Sequence, residues 1–158
     1  VLKKVTEHYG VFYPLQSLNK DMKSLPDTPI FYDGSDDMTK KKLHTLANSI
    51  SEEKVAVAGD DERLKIHVAA VFVSNFVNHL FALAEEYCRK EGLDFKQLLP
   101  LIGETASRIK EIAPQQAQTG PALRHDSETI YKHLELLMDH PRLKNIYVLL
   151  TESIQQQK

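Results

Sequence analysis

The chain has 158 residues, of which 42% are hydrophobic, and this length suits one large domain or one small domain with part of another. Its 20 Lys and Arg against 22 Asp and Glu give a formal net charge of −2 without a basic block, which excludes nucleic acid as an expected partner. The single cysteine, Cys88, cannot form an intramolecular disulfide, and this favours a reducing, cytoplasmic location. Because uninterrupted apolar runs fall short of the ~20 residues of a membrane span, we expect a soluble protein without a membrane partner.

The first third of the chain carries an α/β pattern. Aromatic and β-branched residues predict strands at 9–15, 28–34 and 54–59. Between the last two, residues 35–50 predict a helix that Ser35 or Asp36 can cap. A strand, a strand, a helix and a strand in this order are typical of an α/β unit.

After Gly59 the pattern becomes entirely helical. Residues 60–91 contain neither Gly nor Pro, and apolar residues recur every three or four positions, which predicts one long helix near 61–90. Shorter helices are predicted behind a cap at Asp94, around Pro100, behind a cap at Asp126 or Ser127, and from Pro141 onward. The second domain is therefore expected to be all-α.

The long helix is apolar around much of its circumference. Residues 67–84 carry Val, Ala, Phe and Leu on at least two faces, so we expect one face to pack inside the domain and another against a second copy of the chain. The alternative is that a further N-terminal portion covers the second face. Homodimerisation through the helical domain is the favoured interpretation.

Polar side chains gather on one side of this helix. At about 100° per residue, His67, Ser74 and Asn78 fall within roughly 40° of one another, with Asn75 about 80° away. The reference pKa of histidine, ~6.5, suits proton transfer, so His67 is a candidate catalytic residue. Alternatively, His67 is a buried histidine satisfied by a carbonyl, and the two asparagines bridge helices.

The stretch "QTGPALRHD", residues 118–126, predicts a rigid turn before a helix. Gly120 can adopt positive φ, and Asp126 can cap the helix that follows. The turn itself does not require Arg124, whose guanidinium suits a carboxylate or phosphate; the alternative is a salt bridge to Asp126, Glu128 or Glu104. We expect Thr119 and Arg124 to face His67, Asn75 and Asn78 and to form a cleft wall for a small anionic substrate, with Gly120 shaping the turn.

The long helix and the segment after it resemble a known family. The motifs are His-x-Ala-Ala at 67–70, Asn75 with Asn78-His79, Leu-Pro-Leu-Ile at 99–102, and Gln-Thr-Gly-Pro at 118–121 followed by Arg124 and Asp126. They resemble the C-terminal domain of unassigned function that follows a Rossmann-like NAD(P)-binding domain in bacterial oxidoreductases, especially those of Bacteroides-like bacteria. Residues 9–18 are similar to a late strand of the Rossmann-like part.

The resemblance implies a fold and a role. These proteins are similar to 6-phosphogluconate dehydrogenase and pyrroline-carboxylate reductase, whose C-terminal helical domains dimerise and help to build a substrate cleft. It implies a mainly α fold, in which residues 1–58 are a short α/β remnant of a Rossmann-like domain and 59–158 an all-α dimerisation and substrate-cleft domain. In that superfamily the long helix often carries a Lys and an Asn in the cleft, whereas Lys65 lies about 160° from His67 here.

The glycine fingerprint of a dinucleotide-binding loop is absent from the sequence. The six glycines lie far apart and none forms Gly-x-Gly-x-x-Gly. We therefore expect a C-terminal fragment of an oxidoreductase-like protein: NADP or NAD would bind the intact parent, and no cofactor is expected for this chain alone. No histidine pair has metal-ligand spacing, so no metal is expected. A non-enzymatic interaction or small-anion-binding module remains the alternative function.

Overall fold

The structure, a computed structural model, describes residues 4–18, 20–22, 28–51 and 54–157. Its contacts divide the chain into two compact units, residues 1–79 and 80–158. The long helix crosses this division. The domain boundary predicted at residues 58 and 59 marks the change from mixed to helical structure, and as a functional boundary it stays a prediction.

A small sheet opens the first unit. Strands β1 (Gly10–Pro14), β2 (Ile30–Gly34) and β3 (Val55–Val57) follow one another across it in that order. β1 runs antiparallel to β2, and β2 runs parallel to β3, with Ile30 opposite Val55. Helix α1 (Asp37–Asn48) provides the crossover that a parallel pair requires. The three predicted strands and the predicted helix are confirmed.

The sheet and α1 pack closely. Ile30 and Ala47 are fully buried, and Tyr32 is nearly so. A Cβ atom at Gly10 would lie 2.5 Å from Cδ1 of Leu43 and 2.7 Å from the carbonyl oxygen of Asp33. Glycine is therefore needed at position 10 so that α1 can approach the end of β1.

Asp36 caps α1. Its carboxylate accepts hydrogen bonds from the Thr39 backbone N–H at 2.9 Å and the Thr39 hydroxyl at 2.8 Å, and from Nδ1 of His8 and the Ser35 hydroxyl, both at 2.9 Å. These donors, His8 foremost, hold the pKa of Asp36 well below its usual range. The carboxylate occupies the N-terminus of the helix, where the free N–H groups would otherwise be available to a ligand.

The predicted long helix is confirmed and spans Asp60–Lys90. It consists of α2 (Asp60–Ala70), a π-helical segment (Val71–Phe76) and α3 (Val77–Lys90). The sequence pattern did not predict the π-helical segment. By length and composition alone this helix could cross a membrane, and only 6% of its apolar window is buried within the described part of the chain.

The second unit contains only helices among its described residues. A 3-10 helix (Phe95–Leu98), which Asp94 caps, leads into α4 (Leu99–Arg108), and the other helices are α5 (Pro114–Ala117), α6 (Ser127–Leu136) and α7 (Pro141–Gln155). Leu83, Cys88, Ala122 and Leu137 are buried there. The mainly α fold, with a short α/β segment before the helices, is confirmed.

One buried histidine joins two of these helices. His140, which is 8% exposed, lies at the start of α7, and its Nε2 is 2.7 Å from Oε1 of Glu91, just after α3. The Tyr87 ring packs against the imidazole with centroids 4.8 Å apart. The pair satisfies a polar group that would be costly to bury alone.

Candidate functional site

The π-helical segment changes which side chains share a face of the long helix. A π turn takes in one residue more than an α turn, so residues are set back progressively along the segment, by about 100° from its end onward, relative to an uninterrupted α-helix. On this geometry Asn75 comes within about 20° of His67, and Asn78 lies about 80° from it. His67, Val71 and Asn75 thus form one line, which we call the polar stripe.

His67 has a tyrosine partner in the sheet. The Tyr13 hydroxyl in β1 lies 3.2 Å from Nδ1 of His67, and the two rings meet edge to face with centroids 6.5 Å apart. His67 is exposed and Tyr13 is half-buried. A buried histidine satisfied by a carbonyl therefore does not describe His67, whose second ring nitrogen lies away from the tyrosine.

The same π-helical segment gathers apolar side chains on another side. Without it, Leu64, Val68, Phe72 and Phe76 would spread over about 120° of the helix; with it they fall within about 60°. We call these four residues the apolar stripe. All four are at least half exposed, at 63%, 52%, 62% and 50% respectively, and the rings of Phe72 and Phe76 meet edge to face at 5.1 Å.

The predicted turn lies in the second unit. Gly120 has a φ of +106°, a value that glycine can adopt without steric cost. Asp126 caps α6 by accepting from the Thr129 backbone N–H at 3.0 Å and from its hydroxyl at 2.8 Å, and these bonds lower the pKa of Asp126. His125 also has positive φ, at 51°, which the sequence did not predict.

Arg124 is exposed beside this cap. Two of the three acids that could pair with its guanidinium have other partners: Asp126 accepts from Thr129, and Glu128 pairs with Lys132 at 2.6 Å. A salt bridge to Asp126, Glu128 or Glu104 stays the alternative interpretation. The positive charge of Arg124 contributes to the lowered pKa of Asp126. Thr119 lines a different feature, a cleft of about 330 Å³ that Glu104 and Arg108 also border.

Two groupings follow from these positions. His67 and Asn75 lie on the polar stripe, and Thr119, Gly120 and Arg124 lie in the segment that precedes α6. Contact between the turn and the polar stripe stays a prediction, because the stripe belongs to the unit of residues 1–79 and the turn to the unit of residues 80–158. The sequence analysis missed Tyr13, and only the aromatic run "YGVFYP" pointed toward it.

The chain's own strand-to-helix turns do not fit a dinucleotide. At the turn from β2 to α1, the Asp36 carboxylate already accepts the N–H of Thr39. The turn from β3 to α2 presents Asp60, Asp61 and Glu62 in the first helical turn, and these acids repel a pyrophosphate. Among the described residues no group of three metal-ligating side chains converges either.

Comparison with known proteins shows which solved structures this chain is similar to. A search of curated proteins finds no match. The chain is similar to the solved structure of the "putative NADP oxidoreductase BF3122 from Bacteroides fragilis", with 41% identity and a TM-score of 0.89 over 95% of this chain and 58% of that one. It is also similar in fold to protein TM1727 from Thermotoga maritima, with 24% identity and a TM-score of 0.71 over 93% of this chain and 62% of that one. The chain thus spans about three fifths of the length of these two proteins.

The family is established by a second comparison. The model of the family described as "Domain of unknown function (DUF2520)" matches residues 28–154, which include both the sheet strands β2 and β3 and most of the helical part. The chain belongs to the DUF2520 family.

Proposed function

We propose that this chain is the C-terminal part of an NADP-dependent oxidoreductase, in which it supplies the dimer interface and one wall of the substrate cleft. The observation that carries the proposal is the 41% identity, over 95% of the chain, to the Bacteroides fragilis protein with that name. The relationship to the 6-phosphogluconate dehydrogenase C-terminal superfamily and a cytoplasmic location are part of the same proposal.

In this proposal NADP is held outside the chain. The two strand-to-helix turns described above carry carboxylates where a pyrophosphate would need free N–H groups. This chain covers 58% of the Bacteroides fragilis protein. The cofactor would bind in the part of the parent that corresponds to the rest of that protein.

The polar stripe is the proposed contribution to the substrate cleft. His67 and Asn75 offer an imidazole and an amide on one exposed side of the helix, and Asn78 lies beside them. Thr119, Gly120 and Arg124 are the proposed second contribution, with the guanidinium of Arg124 receiving a small anionic substrate. A cleft between domains is a common place for such a site.

The apolar stripe is the proposed dimer interface. Four large side chains in one line, each at least half exposed, form the kind of surface that soluble proteins cover by association. A two-fold axis across the stripe would pair it with itself, as homodimers commonly do.

A lipid bilayer is a less favoured environment for the apolar stripe than a second copy of the chain. The apolar part of the helix also contains His67, Asn75, Asn78 and His79, which lie on more than one side of it. Polar and ionisable groups facing lipid are costly, and a single helix has no neighbouring helix to shield them. A second copy of the chain could cover the apolar stripe and leave the polar stripe in water.

Calorimetry with NADPH tests the proposal. Two proteins are compared: this chain alone, and a chimera in which the uncovered part of the Bacteroides fragilis protein is joined to this chain. We expect NADPH to bind the chimera and not the chain. Failure of a folded chimera to bind NADPH would contradict the oxidoreductase proposal.

The second candidate function is a non-enzymatic interaction or small-anion-binding module. The exposed guanidinium of Arg124 beside the α6 cap is the observation that favours it. Absence of NADPH binding by both proteins, together with binding of phosphate to the chain and its loss in Arg124→Ala, is the result expected from this alternative.

A further inference from the structure

We propose that Tyr13 is a positioning residue that fixes His67 so that Nε2 donates a hydrogen bond to a carbonyl or hydroxyl oxygen of the substrate, and that Asn75 binds a second polar group of the same molecule. The existence of a substrate rests on the proposed oxidoreductase function. The inference adds the substrate class, an oxygen-bearing compound with two polar groups, and the residue that orients the histidine.

Tyr13 is held by the sheet. It lies opposite Phe31 in the antiparallel pairing of β1 with β2. Hydrogen bonds to β2 therefore hold the backbone before and after Tyr13. Its ring is half-buried, whereas His67 at the other end of the contact is exposed. The sheet therefore fixes the hydroxyl, and the hydroxyl restricts the orientation of the imidazole.

The chemistry of the contact assigns the protons. A phenol is a good donor at neutral pH, because its reference pKa is about 10, and the unprotonated nitrogen of a neutral imidazole is a good acceptor. In the proposal the Tyr13 hydroxyl is the donor across the 3.2 Å contact to Nδ1 of His67. The ring proton then resides on Nε2, which becomes a donor directed away from the sheet. Oxygen acceptors such as a carbonyl or a hydroxyl match this donor.

The π-helical segment supplies the second contact. It brings Asn75 into line with His67 and moves Asn78 about 80° out of line. The two α-carbons in line are about two turns apart, or roughly 12 Å along the axis, with the smaller Val71 between them. The Asn75 side chain leans back over Val71, as helical side chains do, and would hold one end of a small molecule whose other end meets Nε2 of His67. π-helical segments occur frequently at functional sites.

A purely structural role makes a different prediction. If Tyr13 only tethers α2 to the sheet, removal of its hydroxyl should lower stability slightly and leave the protonation of His67 unchanged. Tyr13→Phe separates the two roles, because it keeps the ring and its edge-to-face contact and removes only the donor.

Nitrogen NMR of the chain, selectively labelled at histidine, measures the tautomer directly. At a pH where His67 is neutral, we expect the Nε2–H form in the unsubstituted chain, and a several-fold rise of the Nδ1–H form in Tyr13→Phe. Tyr131→Phe, at an exposed tyrosine of α6, is the matched control and should change nothing at His67. The same tautomer population in the unsubstituted chain and in Tyr13→Phe would overturn the positioning role.

Kinetics of the chimera test the second contact. The probes are 4-oxopentanoate and its shorter and longer oxo-acid homologues, which carry a carbonyl and a carboxylate at increasing separation, with NADPH as reductant. We expect Asn75→Ala to lower kcat/KM at least tenfold, whereas the matched control Asn145→Ala, at an exposed asparagine of α7, should change it less than twofold. The same kcat/KM with and without the Asn75→Ala substitution would overturn the assignment of Asn75.

The two proposals fail in different ways. A chimera that binds no NADPH contradicts the oxidoreductase function, and the tautomer of His67 then decides the inference by itself. A chimera that reduces an oxo acid equally well with and without the Tyr13 hydroxyl supports the oxidoreductase function and contradicts the role of Tyr13.

Discussion

Substitution of Phe72 by Asp should dissociate the proposed dimer. Phe72 lies on the apolar stripe and is 62% exposed. A phenylalanine buries about 200 Å² when fully covered, so association can cover at most about 120 Å² of this side chain in each copy. At about 25 cal/mol per Å², that area corresponds to about 3 kcal/mol per copy and about 6 kcal/mol for the two copies in a symmetric dimer.

This magnitude predicts a large effect. A loss of up to about 6 kcal/mol raises the dissociation constant by up to about 10⁴-fold, and an aspartate in the interface would weaken association further. Sedimentation equilibrium over a range of chain concentrations measures the constant. Asn78→Asp is the matched control, because it places the same carboxylate on the same helix but more than about 130° from the apolar stripe, and it should leave the dimer intact.

Two results would refute this reasoning. A monomer of the unsubstituted chain at high micromolar concentration would show that a second copy does not cover the apolar stripe. Equal weakening by Phe72→Asp and Asn78→Asp would show that the interface does not depend on this stripe. Circular dichroism of each variant excludes unfolding as the cause of dissociation.

Three further predictions concern stability. Asp36→Asn should lower the melting temperature at neutral pH, and the melting temperature of this variant should fall less in acid than that of the unsubstituted chain. The reason is that the depressed pKa of Asp36 in the folded state stabilises the fold above the unfolded pKa of about 3.9, and this stabilisation is lost as the pH falls toward the folded pKa. Glu91→Ala should destabilise the chain to urea by about 1–3 kcal/mol, since it leaves the buried His140 without its partner; no change would mean that water replaces the carboxylate. Gly10→Ala should cost about 1–3 kcal/mol in the same assay, whereas Gly103→Ala, in open space on α4, should be neutral or stabilising. Equal effects of the two glycine substitutions would contradict the close approach at β1.

Local signals predicted most of the secondary structure. Asp36, Asp94 and Asp126 each cap a helix as expected, because an aspartate at an N-cap satisfies backbone N–H groups within three residues of itself. The turn at Gly120 also followed from the residue alone, since glycine adopts positive φ without steric cost. His125 breaks that rule, and no local pattern indicated its positive φ.

The candidate site depends on features that a local pattern does not encode. The helical wheel assumed 100° for every residue, and the π-helical segment changes the neighbours of His67 although Val71–Phe76 has no glycine or proline to mark it. The contact of Tyr13 with His67 joins residues 54 positions apart in sequence. Such a pairing joins a strand to a helix far along the chain, and periodicity along one element cannot predict it.

The burial of Cys88 makes the second unit's stability measurable without any substitution. This thiol, the only one in the sequence, is 5% exposed and lies in the unit from residue 80 onward. A thiol reagent can reach it only when α3 separates from its neighbours, so the labelling rate reports how often that region opens. If urea accelerates labelling at concentrations that leave the NMR signals of His8 and His67 in the first unit unchanged, the two units unfold separately. A single common transition would show that the long helix couples them into one cooperative unit.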